Sequence, residues 1–183
     1  SDGDYLVTTE ETQGKTVKIW DVQDFDNINL KGEYLGENGL AHNAHVKENF
    51  VYISHYTTGL KVIDIYDPNN PVEVAAFDTY PQNDDGGFYG CWGAFPFTNN
   101  SFVYASDMQN GLFVLEHNKK RAGWMYGKVY DYSSQSISGY KLKSITNLKE
   151  YQADDENYFI GHPEGIHQFE LIFNNEVIDE LTL

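Results

Sequence analysis

Cysteine is nearly absent: Cys91 is the one thiol in 183 residues. A disulfide framework is therefore excluded, and an oxidising compartment is neither required nor ruled out. Basic residues are scarce too, with 12 Lys and Arg against 28 Asp and Glu and a formal net charge of −16. A surface of that sign repels phosphate backbones and anionic headgroups, so nucleic acid is not an expected partner. No run of about 18 apolar residues occurs, so hydropathy offers no transmembrane segment. The motifs H-E-x-x-H and G-x-S-x-G and a glycine-rich phosphate loop are all missing. Those motifs carry zinc peptidase, serine hydrolase and nucleotide chemistry, and His162-Pro163-Glu164 does not have the zinc-ligand spacing. A signal-peptide pattern is lacking as well. The opening turn Ser1-Asp2-Gly3-Asp4 runs into a strand, as expected of a mature or truncated start.

Aromatic residues are plentiful, with 14 Tyr, 11 Phe and 3 Trp. No long helical apolar period accompanies them, and such side chains suit sheets and interaction surfaces. The chain is organised around FVYISHYTTGLKVIDIYDP, residues 50–68. Val51, Ile53, Leu60, Val62, Ile63 and Ile65 make two strands, Thr58-Gly59 turns between them, and Asp67-Pro68 ends the second. The unit recurs as FVYASDMQNGLFVLEH at residues 102–117, where Ser106 matches Ser54 and Gly111-Leu112 matches Gly59-Leu60. It recurs more weakly upstream, where Val17, Ile19, Asp21 and Val22 match Leu60, Val62, Asp64 and Ile65. The offsets are 43 residues from Val17 to Leu60 and 52 from Leu60 to Leu112. Strand units at a period of about 40–50 residues predict β-propeller blades.

Read in order, residues 5–9, 17–22, 30–35, 51–54, 72–80, 92–97, 102–106 and 112–115 are predicted strands. Residues 41–46 precede an inner one. Glu37-Asn38-Gly39 is a turn and Asp84-Asp85-Gly86-Gly87 an acidic loop. This amounts to about two and a half to three blades, where a closed ring needs about four or more. A C-terminal segment of a longer propeller is expected, because an open ring leaves bare strand edges. Completion by copies or by another chain is the alternative. The basic stretch Asn118-Lys119-Lys120-Arg121-Ala122-Gly123 marks a boundary between segments 1–118 and 119–183. Beyond it residues 129–132, 140–145, 158–161 and 167–173 read as short strands. The fold class expected is all-β, a partial propeller followed by a small β-sandwich.

The run from Gly59 to Pro68, followed by Asn70-Pro71-Val72-Glu73-Val74, resembles the LVIVD repeat of bacterial surface propellers. With IWDVQDFDN, the His42-Asn43 pair, FDTYP, GGFYGCWGAFPF and SDMQNGLFVL, residues 1–117 resemble the choice-of-anchor B proteins. Residues 122–183 resemble the carboxypeptidase regulatory-like domain, a transthyretin-like β-sandwich. The motifs carrying that likeness are Gly127-x-Val129-x-Asp131, Ile137-Ser138-Gly139, ADDENYFI at residues 153–160, and Pro163-Glu164-Gly165 before Phe169-Glu170-Leu171. Asn157 stands where that family usually has glycine and Tyr140 where it has a small residue, and the chain stops where a last strand belongs. These resemblances imply a Gram-negative envelope protein of the Bacteroidetes type. It would lie at the cell surface or outer-membrane exterior, lipid-anchored or secreted and anchored. They also imply a protein or glycan partner, or membership of an outer-membrane complex.

His42, Asn43, His45 and His55 are the densest imidazole group. By repeat alignment His55 corresponds to Asp107 and to Thr9 or Glu10, so Glu10, His55 and Asp107 are expected at one end of the ring. His42, Asn43, His45, His55 and Asp107 are therefore the candidate ligand-binding residues, with no catalytic residue assigned. The plainer reading is that they satisfy turns and neighbouring blades. Cys91 reads as a small buried apolar group rather than a nucleophile. No cofactor is expected. Ca²⁺, a cation that takes oxygen ligands, is one candidate ion, and whether a metal binds is left open. A non-catalytic surface protein is the favoured reading. The alternatives are a metal-dependent hydrolase built on the His/Asp cluster and a Ca²⁺-binding adhesin.

Overall fold

The computed structural model describes residues 3–37, 40–83, 85–130, 132–136, 138–146, 150–152 and 157–183. Among them every regular element is a β-strand, and every pairing is antiparallel. Several residues the sequence singles out lie outside the described residues: Ser1-Asp2, Asn38-Gly39, Asp84, Asp131, Ile137 and 153–156. The chain divides into two compact units, Ser1–Arg121 and Ala122–Leu183.

The first unit holds three sheets. The first is β1 (Tyr5–Thr8), β2 (Val17–Asp21) and β3 (Asn29–Tyr34), in that order. The second is β4 (Asn43–Lys47), β5 (Phe50–Ser54), β6 (Leu60–Asp64) and β7 (Val72–Phe77). The third is β8 (Cys91–Phe95), β9 (Phe102–Asp107) and β10 (Gly111–Glu116). The hairpins β5-β6 and β9-β10 form where the repeat places them. Gly59 closes the first of these hairpins at φ +80°, and a Cβ there would sit 2.1 Å from the Phe77 carbonyl oxygen. Both the conformation and the space therefore demand glycine.

The repeat extends to details the sequence does not announce. A β-bulge falls between Ile19 and Trp20 and again between Val62 and Ile63, at the same offset of 43 residues. The turns that follow are copies. Asp21 Oδ1 accepts from Gln23 N at 3.2 Å, and Asp64 Oδ1 accepts from Tyr66 N at 2.9 Å. Asp24 Oδ1 accepts from Asp26 N at 3.0 Å, and Asp67 Oδ1 from Asn69 N at 3.1 Å. Each is an aspartate whose side chain bonds the backbone two residues on, which favours a turn over a continued strand.

Strand alternation builds two cores from one sheet. Val51, Ile53 and Ile63 point one way and pack with Val17 of the first sheet and Ala41. Phe50, Tyr52, Leu60 and Val62 point the other way onto Cys91, Ala94, Val103 and Ala105 of the third. All five residues of β5 are consequently buried. At the end of the unit, Arg121 reaches back to Asp64, whose carboxylate is fully buried. Its Nε donates to Oδ2 at 2.5 Å and its Nη2 to Oδ1 at 3.0 Å, while the guanidinium lies 4.6 Å from the Tyr66 ring centre.

In the second unit β11 (Gly123–Gly127) pairs with β14 (Tyr158–His162). A four-stranded sheet runs β13 (Glu150–Gln152), β12 (Lys141–Ser144), β15 (Gln168–Phe173), β16 (Glu176–Thr182). Leu142, Tyr151, Tyr158, Ile160, Phe169 and Leu171 form one core between these sheets. One expectation needs correction here. The first strand is Gly123–Gly127, not residues 129–132, where Tyr130 makes an isolated bridge to Ser136. The sheet also gains an edge strand the sequence reading did not name, β16. Asn174 and Asn175, at φ 50° and 65°, supply the tight turn that folds it onto β15. Two consecutive left-handed residues suit a two-residue hairpin, and asparagine tolerates that region.

Arg121→Ala should destabilise the protein by about 2–4 kcal/mol, because it removes the guanidinium from a carboxylate with no exposed surface. The double variant Asp64→Asn/Arg121→Ala should lose less than the single one, since no buried charge is then left behind. Urea unfolding of the full chain reads both values, and a double loss equal to or above the single one contradicts the role assigned to the pair.

Candidate functional site

The edge strand β4 lies beside β8, and alternation aims every second β4 side chain at it. Asn43 Nδ2 donates to Trp92 O at 3.4 Å. The His45 ring meets Phe97 edge-on at 5.8 Å between centres. Lys47 Nζ donates to Pro96 O at 2.6 Å and to Thr98 O at 3.0 Å. Ala44 and Val46, between them, pack against the core shared with the first sheet.

One residue before β4, His42 gathers a cluster. Its Nδ1 donates to Trp92 O at 2.6 Å and its Nε2 lies 3.2 Å from Glu11 Oε1. The Asn43 amide nitrogen lies 2.8 Å from the same Nδ1. The imidazole packs on the Trp92 indole at 4.1 Å between ring centres and on the Tyr56 ring at 5.3 Å. Tyr56 closes the group by donating its hydroxyl to Glu11 Oε1 at 2.8 Å. Burial, and then the Glu11 carboxylate, push the Tyr56 phenol up to about 12, so it stays a donor at neutral pH.

Two backbone devices place these rings. β8 carries a bulge between Cys91 and Gly93, and Trp92 is the extra residue. Bulges re-aim a side chain; here Cys91 and Ala94 stay buried while the indole turns to His42 and remains half-exposed. Gly90 lets the chain pass close to Tyr56, since a Cβ there would sit 2.5 Å from the Tyr56 carbonyl oxygen. That approach allows paired backbone bonds, Cys91 N to Tyr56 O at 2.9 Å and Tyr56 N to Cys91 O at 3.2 Å. Phe88 stands edge-on to Tyr56, Tyr89 stacks on Tyr80, and both Phe88 and Tyr89 are exposed. The result is a rim of exposed aromatic surface next to a carboxylate, an amide and an imidazole.

The other predicted residues stand elsewhere. His55 is buried and places Nδ1 2.8 Å from Thr58 Oγ1, while its backbone N–H donates to Gly59 O. Burial, and then the Lys61 charge, lower its imidazole to about 4. Asp107 accepts from Gln109 N and Asn110 N on Oδ1, and from Thr79 Oγ1 on Oδ2 at 2.7 Å. These two repeat-equivalent residues thus close equivalent turns. Glu10 lies 4.0 Å from Lys18, and its neighbour Glu11 is the acid that meets His42. Cys91 is fully buried, with its thiol pushed up to about 12 by burial and then by Asp107. Among the described residues no three His, Cys, Asp or Glu side chains are grouped so as to hold a metal ion. Also among them, no helix is long and apolar enough to cross a membrane.

Sequence reasoning named His42 and Asn43 but not Glu11, Tyr56 or Trp92. The available signal was the glycine-rich GGFYGCWG run, whose Trp92 lies 50 residues beyond His42.

Residues 38–79 match the family model of the LVIVD repeat. That segment contains β4 to β7, the whole second sheet. No curated protein and no solved structure matches the chain significantly.

The lowered His55 imidazole predicts a pH effect with a definite sign. Between about pH 6.5 and pH 4 the unfolded chain binds a proton at His55 that the folded chain does not, so stability falls as pH falls through that window. From pH 7 to about pH 4.5 the wild-type protein should lose about 2 kcal/mol more than His55→Gln, in which that group is gone. Parallel stability-pH profiles from chemical denaturation would show that His55 does not carry this linkage.

Proposed function

We propose that this chain is a binding protein of the bacterial cell surface, and that the rim at Trp92 is where it takes a neutral glycan. The observation that carries the reading is the half-exposed Trp92 indole, held on one side by His42 and flanked by Glu11 and Asn43. Aromatic faces pack against the C–H faces of pyranose rings, while a carboxylate and an amide hydrogen-bond hydroxyl groups. A net charge of −16 disfavours anionic polysaccharides. Of the cluster read from the sequence, His55 and Asp107 turn into their own hairpin ends and His45 onto Phe97, while His42 meets one carboxylate, Glu11, whose Oε1 also accepts from the Tyr56 hydroxyl. Catalysis needs several such groups free to reach one reacting atom, and with Glu11 held by His42 and Tyr56 the reading is non-catalytic.

The matched LVIVD repeat and the sheet-by-sheet recurrence support reading the first unit as a β-propeller segment. The two sheets and common core of the second unit support a carboxypeptidase regulatory-like β-sandwich acting as spacer or docking module. The two resemblances taken together support a location at the outer-membrane exterior of a Gram-negative cell, with a lipid or secreted anchor and a place in an outer-membrane complex.

Titration of neutral gluco-, xylo- and manno-oligosaccharides, followed by tryptophan fluorescence, tests the rim. Binding that Trp92→Ala weakens at least about tenfold supports it. An unchanged affinity in that variant, or no response to any of these sugars, overturns the glycan assignment.

A further inference from the structure

Exposed aromatic surface continues past Trp92. Phe88, Tyr89 and Trp92 are 60%, 51% and 47% exposed within five residues of chain. Single exposed apolar side chains are ordinary on a protein surface, but these three are mounted together. The buried Tyr56 ring meets Trp92 edge-on at 6.1 Å and Phe88 edge-on at 5.4 Å between centres. Tyr89 follows Phe88 directly and lies nearly parallel to Tyr80, with 6.1 Å between ring centres. Two exposed aromatic surfaces are thus anchored at one buried tyrosine: the Trp92 indole, and Phe88 with its neighbour Tyr89.

The backbone under these rings is fixed. Gly90 N–H donates to Gln109 Oε1 at 2.8 Å, and the Gly90 carbonyl accepts from Met108 N–H at 2.9 Å. A Cβ on Gly90 would sit 3.0 Å from the Tyr80 Cβ as well as against the Tyr56 carbonyl, so the chain is wedged between the two tyrosines that the exposed rings meet. Aromatic rings held in place before contact lose little conformational entropy on binding. Charge agrees with a neutral ligand. Residues 86–97, GGFYGCWGAFPF, contain no Asp, Glu, Lys, Arg or His in a chain of formal charge −16. Glu11 joins the group through the Tyr56 hydroxyl. An uncharged aromatic run beside a carboxylate suits a ligand with apolar ring faces and many hydroxyl groups.

We propose that Phe88 and Tyr89 form a second platform, and that the rim takes a chain of linked neutral sugar rings rather than one terminal sugar. Resting on the glycan reading of Trp92, this adds the class of glycan. A sugar ring seated on the Trp92 indole holds the rings linked to it at high effective concentration near Phe88, so the second contact is intramolecular and strengthens the first. A sugar too short to reach both platforms forgoes that gain. Phe88, fixed against Tyr56, is then the residue that sets the preference for chain length. Tyr89 adds an aromatic face and a hydroxyl able to bond the hydroxyl groups of the sugar.

The test is calorimetric titration of the full chain with di- and tetrasaccharides of the gluco, xylo and manno series. At least one series should bind, with the tetrasaccharide at least about tenfold tighter than the disaccharide. Phe88→Ala should cut that ratio to below about threefold, because the second contact is then gone. Tyr89→Ala is the second variant and should lower the ratio in the same direction. Both positions are exposed, and far-UV spectra check that each variant folds. A wild-type ratio near one, or a ratio that neither variant lowers, overturns the second platform, while the binding itself still supports a glycan on Trp92. No binding of any tetrasaccharide overturns both readings together.

Discussion

Burial of both faces of the second sheet is the constraint on which the first unit depends. A sheet sealed on one side only shows alternating apolar and polar residues, whereas β5 has five buried residues in succession. Neither neighbour can be removed without exposing half of that strand. The first sheet needs the odd-numbered face of β5 and the third sheet the even-numbered face. Register follows from this, because a shift of one residue would exchange the two faces. The matching bulges after Ile19 and Val62 set the same local twist in consecutive sheets. Polar groups also bond across these interfaces: buried Tyr52 bonds His117 Nδ1 at 2.9 Å, and the half-buried Tyr34 hydroxyl donates to Glu73.

The acidic character of the chain acquires a local explanation in the turns. Asp21, Asp24, Asp64, Asp67, Asp78 and Asp107 each accept a backbone N–H two residues ahead. A part of what composition presents as negative surface, six of 28 acidic residues, is turn chemistry repeated at several crossings between strands. The same economy accounts for His55 and Asp107. Repetition makes them stand out in an alignment of the units, yet what is repeated at those positions is a hairpin end.

Legibility divided along the same line. Hairpins β5-β6 and β9-β10 were readable because pattern, turn residue and partner all lie within about 20 residues of one another. The strand β16 was readable in principle, since Asn174-Asn175 after the apolar run Leu171-Ile172-Phe173 is a turn signal, but its alternation is blurred by Glu176, Asp179 and Glu180. The strand β11 was hidden because the Gly127-x-Val129 motif suggested a strand from residue 129, six residues after β11 begins at Gly123. The rim was the least accessible feature. His42 and the GCWG run were each noticed, but their meeting depends on a bulge at Trp92 and on stacking of separate sheets. Neither leaves a periodic trace.

The lone thiol has a practical meaning. Cys91 sits with no exposed surface at the contact between the second and third sheets, bridged to Tyr56 and facing Asp107. A thiol so held reacts with an alkylating reagent only when those sheets part. The rate of its modification under native conditions is therefore a clock for separation of the two sheets, with no second cysteine to blur the reading.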